Sequence, residues 1–331
     1  MDFKTQHITL LNQKASFDFD IAALTLFRFQ AEHNLVYKNY LHHLRIDPQD
    51  VQALEQIPFL PIEFFKEQEV KTGAFNAEAV FYSSGTTMQA RSRHFVSDLN
   101  LYHQVSERIF EHFYGSLQDY VVLALLPSYL EQGGSSLVAM VDYFVKRTAQ
   151  QEEGFYLHNH VQLLQNMRQA HSRGKKVLLM GVSFALLDLA DELKGQEDFS
   201  GVSVMETGGM KGRRREMIRE ELHAQLQHGL GVEHIHSEYG MTELLSQGYS
   251  KGEGIFWPGY SMRILLRDLN DPFDIRSTLR SGGINVIDLA NVDSCAFIET
   301  KDIGRLHSDG SFEVLGRFDN SDIRGCNLLV S

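Results

Sequence analysis

The chain has 331 residues, enough for about two average domains or for one large α/β domain with a short appendage. Its 43% hydrophobic and 22% charged residues are the balance of a globular chain with a sizeable core, which excludes a disordered one. A net charge of −12, from 31 Lys and Arg against 43 Asp and Glu, argues against nucleic acid or an anionic membrane surface as partner, because both select a basic face.

Met1–Lys14 alternates polar and apolar residues and has no apolar core, so it does not read as a signal peptide. From about Ser16 to Leu60 the spacing of Ile21, Leu24, Leu26 and Phe27, continued by Leu35, Tyr37, Tyr40, Leu41 and Leu44, predicts a helical N-terminal part. Pro58 and Pro61 then force an extended segment. From Ala79 the character becomes α/β. Strands are expected at Ala79–Tyr82, Val121–Leu126, Val177–Met180, Val202–Met205 and His234–Ser237. Between them, Leu101, Val105, Ile109 and Phe113 form one helical face. Gly212–Gly229 reads as a second helix, with Met217, Ile218, Leu222 and Leu226 facing inward and Gly229 as its C-cap. Further strands at Met262–Leu266, Ile284–Leu289, Ala296–Ile298 and Phe312–Leu315 suggest a smaller appended sheet or barrel. No apolar run approaches the ~20 residues of a membrane span. The two cysteines, Cys295 and Cys326, exclude a disulfide framework and suit a reducing compartment, so a soluble cytoplasmic protein is expected. The 15 histidines show no convincing metal spacing.

Four short segments carry candidate chemistry. Tyr82-Ser83-Ser84-Gly85-Thr86-Thr87 follows a strand; a glycine among hydroxyl residues lets backbone amides approach phosphate oxygens, with Arg91 and Arg93 nearby. It lacks the Gly-Lys-Ser/Thr of a Walker loop, and an ordinary polar turn is the competing reading. Thr207-Gly208-Gly209 lies at a strand's C-terminal end, where α/β sheets bind ligands, although a tight turn has the same composition. Ser237-Glu238-Tyr239-Gly240-Met241-Thr242-Glu243 offers an aromatic ring for a base, a hydroxyl for a phosphate and a carboxylate for Mg²⁺, or simply a loop with a solvated glutamate. Thr300-Lys301-Asp302 and Leu315-Gly316-Arg317-Phe318-Asp319 supply a carboxylate suited to ribose hydroxyls and a basic residue, with Arg317 as a solvated surface charge and Asp319 as a turn residue the competing reading.

In this order the four segments resemble the adenylate-forming superfamily of acyl-CoA synthetases, adenylation domains and firefly-type luciferases, over about Phe81 to Gly325. The resemblance implies an α/β fold, the large N-terminal domain of that superfamily: layered, largely parallel sheets with helices and a small β-rich subdomain. The expected division is a helical part over 1–78, a nucleotide-binding core over 79–253, a β-rich subdomain over 254–319 and a tail over 320–331. It also implies ATP and AMP contacts from Ser83, Ser84, Gly85, Thr86, Thr87, Arg91, Thr207, Gly208, Gly209, Tyr239, Gly240, Met241, Thr242, Asp302 and Arg317. Tyr239 would lie on adenine, Thr242 at the α-phosphate, Asp302 on the ribose and Glu243 on Mg²⁺.

The departures matter as much. Met88, Ala90 and Arg91 replace the usual glycine, proline and lysine of the phosphate loop, and Lys301 replaces the glycine before the ribose aspartate. Twelve residues follow Asp319, and none of them is the lysine that the superfamily's mobile C-terminal domain brings to the reaction. That domain is expected to be lacking, and Arg317, Arg324, Arg91 or a partner protein is left to supply the positive charge. A short chain with Cys326 five residues from its end and Ser92-Arg93-His94 after the phosphate loop is similar to the acyl-protein synthetases (LuxE-type). That similarity implies activation of a fatty acid as acyl-AMP, acyl transfer to Cys326 and passage to an acyl-accepting reductase or carrier, with Cys326, Thr242 and Arg317 as catalytic residues. Cys326 reads equally well as a small apolar residue beside Leu328-Leu329-Val330. The alternatives are an aryl- or acyl-CoA ligase resembling phenylacetate-CoA ligase, which would use CoA, and a non-catalytic nucleotide-binding subunit.

Overall fold

The computed structural model describes residues 2–13, 16–84, 91–127, 133–150, 154–195, 199–208, 214, 215, 217–276 and 278–318. Of the expected site residues, Gly85, Thr86, Thr87, Gly209 and Cys326 lie outside these, as does the tail over 320–331.

The N-terminal part contains helices α1 (Phe3–Asn12), α2 (Phe19–His33) and α3 (Leu35–Leu44). Each begins on a side chain that accepts a backbone N–H of the first turn: Asp2 from Thr5, Asp18 from Ile21 and Asn34 from Tyr37. The helical pattern does not run on to Leu60. Arg45 turns into the left-handed region at φ 59°, and only the short turn Leu54–Gln56 is helical before β1 (Leu60–Pro61). The α1 helix falls where the sequence shows no clean apolar face. It is held by His7, whose Nε2 lies 2.8 Å from Leu289 O, together with the fully buried Leu11 and with Phe3 stacked on Phe29.

After α4 (Phe64–Glu67), strands β2 (Ala79–Tyr82) and β3 (Arg93–Val96) pair antiparallel with each other. The chain then alternates: α5 (Leu99–Tyr114), β4 (Tyr120–Leu125), α6 (Ser136–Thr148), β5 (Gly154–Phe155), α7 (His160–Ser172), β6 (Lys176–Val182), α8 (Ser183–Leu193), β7 (Val202–Thr207), α9 (Arg219–Leu230) and β8 (Ile235–Tyr239). Strands β5, β4, β6, β7 and β8 lie side by side in that order, all parallel. All six residues of β4 are buried, as a continuous apolar run in a parallel sheet requires. The second helix differs from expectation at both ends. It starts at Arg219, leaving Ile218 outside and 68% exposed, and its C-cap is Gly231 at φ 63°. Gly229 lies inside the helix, where an added Cβ would come within 2.5 Å of Ala190 Cβ on α8; glycine permits that helix contact.

The β-rich last third comprises β9 (Gly248–Ser250), β10 (Ile255–Pro258), β11 (Met262–Arg267), β12 (Ser281–Asp288), β13 (Phe297–Leu306) and β14 (Phe312–Arg317). These strands pair antiparallel and continue the parallel sheet through β8–β9, β9–β10 and β10–β14. The N-terminal helices are pinned to this part. Gln30, fully buried, donates Nε2–H to Asn291 O and Ser294 O, and its Oε1 accepts from Ala296 N.

Candidate functional site

Because β4, β6, β7 and β8 are parallel, their C-terminal ends share one edge of the sheet. A cavity of about 740 Å³ opens there, between that edge, the β2–β3 pair and β14. Ser84, Thr207, Gly208, Tyr239, Gly240, Met241, Thr242, Asp302 and Arg317 all line it.

Tyr239 ends β8 with its ring packed edge-on against Phe312 at 5.2 Å and Phe256 at 6.0 Å. Its hydroxyl donates to Asp302 Oδ2 at 3.0 Å. Asp302 sits opposite Arg317 in the β13–β14 register, with Arg317 Nε 3.9 Å from Oδ1. Burial pushes the Asp302 carboxyl up, and Arg317 works against that. The Arg317 side chain is itself 65% exposed at the mouth.

The loop after Tyr239 is fixed from behind by a carboxylate. Asp288, fully buried on β12, accepts from Leu245 N at 2.7 Å, Ser246 N at 3.0 Å, Ala290 N at 3.0 Å and Ser246 Oγ at 2.5 Å. His94 of β3, also buried, fixes it from the other side by donating Nδ1–H to Thr242 O at 2.8 Å. Burial drives the His94 imidazole down to about 4, against the opposing effect of the Thr242 bond, so it stays neutral. Glu243 is 4% exposed. Burial raises its carboxyl, and the Ser92 hydroxyl opposes the shift. Among the described residues no group of three or more His, Cys, Asp or Glu is placed to hold a metal ion. A single carboxylate does fit Mg²⁺, which keeps water and substrate phosphates as its other ligands.

Ser83 shapes the entry to the phosphate-loop segment. Its Oγ accepts from Ser92 N at 2.8 Å, its carbonyl accepts from Arg91 Nε at 2.5 Å, and Arg91 also stacks over the Tyr82 ring. Arg91 is thus engaged with the base of the loop. Gly208 stands at φ 69°, a conformation that favours glycine, and its carbonyl accepts from Ser183 Oγ.

The structure adds residues that motif reading passed over. Glu206 of β7 is 5% exposed; burial would raise its carboxyl, but His223, Arg219 and Ser237 outweigh that and hold it low. Arg219 reaches into the cavity wall from the start of α9, and Glu238 and Gln247 line the cavity beside the Tyr239 loop. Their signal lies in strand pairing, which spacing alone does not supply.

The mixed α/β architecture, with one large sheet and flanking helices, is the fold of the N-terminal domain of the adenylate-forming enzymes. Two solved structures carry that likeness. ATP-bound MatB from Rhodopseudomonas palustris shares 18% identity over 74% of this chain and 49% of its own, with a TM-score of 0.53. O-succinylbenzoate coenzyme A synthetase (MenE) from Bacillus subtilis, in complex with ATP and magnesium ion, shares 16% identity over 89% of this chain and 62% of its own, with a TM-score of 0.51. The chain thus spans about half the length of the first of these and under two thirds of the second. No protein-family model and no curated protein matches the sequence.

Proposed function

We propose that the protein activates a carboxylic acid with ATP, forming acyl-AMP and releasing pyrophosphate, and then passes the acyl group to a thiol. The observation that carries this reading is the convergence of Tyr239, Thr242, Asp302 and Arg317 on one cavity at the C-terminal edge of parallel strands, with Glu243 buried next to Thr242. Tyr239 flanks the adenine, and Asp302 accepts the ribose hydroxyls. Ser83, Ser84 and the Gly85-Thr86-Thr87 segment hold the β- and γ-phosphates, with Arg91 bracing the loop. The Thr242 hydroxyl donates to the α-phosphate. Glu243 would hold Mg²⁺, which when bound would neutralise phosphate charge.

In the first half-reaction a carboxylate oxygen of the acid attacks the α-phosphorus. The bond to the β-phosphate's bridging oxygen breaks, and pyrophosphate leaves. The chain's part is alignment and charge neutralisation, with Arg317 in the role that a lysine has in the superfamily. In the second half-reaction a thiolate attacks the acyl carbon and AMP departs, leaving a thioester. The resemblance to acyl-protein synthetases favours Cys326 as that thiol, a fatty acid as substrate and an acyl-accepting protein as the next carrier. CoA as acceptor is the second reading, favoured by a fold neighbour that is named as a coenzyme A synthetase.

The test is labelled acid, ATP and Mg²⁺ with the wild type and Cys326→Ala. Label on the wild type and none on the variant supports protein acylation. Free acyl-CoA on addition of CoA, unaffected by the variant, supports the ligase reading.

A further inference from the structure

Side chains alternate along β8, so Ser237 and Tyr239 face one side of the sheet and Glu238 the other. The Tyr239 side carries the positive charge. Arg219 lies over the Phe256 ring at 4.8 Å, Arg317 stands beside Asp302, and among the described lining residues these are the two cations.

The Glu238 side holds no cation among the described lining residues; it carries acceptors and one buried hydroxyl without a partner, that of Tyr249. Thr207, its neighbour on β7, donates Oγ1–H to Glu238 Oε2 at 2.6 Å, which is its hydrogen bond among the described residues. The other oxygen, Oε1, lies where a Cβ on Gly240 would come within 2.3 Å, so the glycine leaves room for it at the cavity wall. Tyr249 is paired directly opposite Glu238 on β9 and shares its face; Gln247, two residues earlier, also lines the cavity. Gln247 is 2% exposed, and its Nε2 donates to Leu245 O at 3.2 Å. The end that remains is an acceptor, Oε1, buried with no partner. A buried acceptor without a donor is costly, and a half-buried carboxylate with one donor is under-compensated as well. Burial, helped by the nearby Glu206 charge and opposed by the Thr207 bond, holds the Glu238 carboxyl at about 7, so a cation beside it would ionise it fully.

We propose that Glu238, held by Thr207 and flanked by Gln247, reads a protonated amino group on the acid that this site activates. The substrate class is then an amino-bearing carboxylic acid in place of a plain alkanoic one. This rests on the acid-activation reading above and replaces the plain fatty acid favoured there.

The experiment is acid-dependent ATP–pyrophosphate exchange with acids matched in length, one series carrying an amino group at varied positions, one a hydroxyl and one neither. The wild type should favour the amino series at least tenfold in kcat/KM. Glu238→Gln should remove most of that preference by raising the KM for the amino-bearing acid and not for ATP. Gln247→Leu should lower the same preference by a smaller factor, and thermal unfolding of both variants checks that they fold. Preference for unsubstituted or hydroxyl acids, or an unchanged ratio in a folded Glu238→Gln, overturns the inference and leaves acid activation standing. A rise in the KM for ATP in place of the acid also overturns it and assigns Glu238 to the amino group of adenine. Exchange with no acid in any series removes the activation reading and this inference with it.

Discussion

Two carboxylates flank the same loop: Asp288 is fully buried, and Glu238 is half-buried at the cavity wall. Asp288 accepts three backbone N–H groups and one hydroxyl, so its burial is compensated atom by atom. Glu238 accepts one hydroxyl and keeps its other oxygen at the wall of the cavity. A saturated buried acid fixes architecture, whereas one left half-satisfied beside a cavity is available to a ligand.

The largest effect should come from breaking the saturated member. Asp288→Ala orphans the amides of Leu245, Ser246 and Ala290 and should cost about 3–5 kcal/mol of stability, read by urea unfolding. A loss under ~1 kcal/mol would mean that the loop is held elsewhere. Next comes His94. Above pH 6.5 both folded and unfolded forms are neutral. As the pH falls from 6.5 toward about 4, the unfolded chain takes up a proton that the buried imidazole refuses, so stability is lost, by about 3 kcal/mol over the window. His94→Gln should flatten that slope in denaturation measured at a series of pH values; an unchanged slope would assign it to other groups. On the nucleotide side, Asp302→Ala should raise the Kd for ATP by roughly 10-fold, the scale of one lost charge-assisted hydrogen-bonding group, measured calorimetrically. Unaltered ATP affinity would separate Asp302 from the nucleotide. The smallest effect belongs to Glu238→Gln on stability. Removing a charge that burial disfavours should leave the melting temperature unchanged or slightly raised, and a drop of several degrees would show that the carboxylate is structural after all.

This contrast also explains what the sequence revealed. The parallel strands were legible because apolar runs such as Val121–Leu126 are buried on both faces, and the Tyr239–Glu243 segment stood out by its residue types; four of its residues, Tyr239 to Thr242, line the cavity. Asp288 and Gln30 were not, since their meaning lies in partners at β8–β9 and on the turn after β12, tens to hundreds of residues away. Glu238 sits between Ser237 and Tyr239, just past the strand expected at His234–Ser237, in a segment whose competing reading is a loop with a solvated glutamate. Only the β7–β8 and β8–β9 registers show that it shares a face with Thr207 and Tyr249. The α1 helix was missed because its buried face mixes His7 with Phe3 and Leu11, so the contacts that hold it, including His7 with Leu289, do not show as a plain apolar stripe.

The most direct test of the central claim is isotope exchange between pyrophosphate and ATP in the presence of Mg²⁺ and a broad panel of carboxylic acids. The account predicts exchange that depends on the acid and falls at least tenfold in Thr242→Val and in Glu243→Gln. Tight ATP binding with no acid-dependent exchange across the panel would contradict it and leave a nucleotide-binding protein without this chemistry.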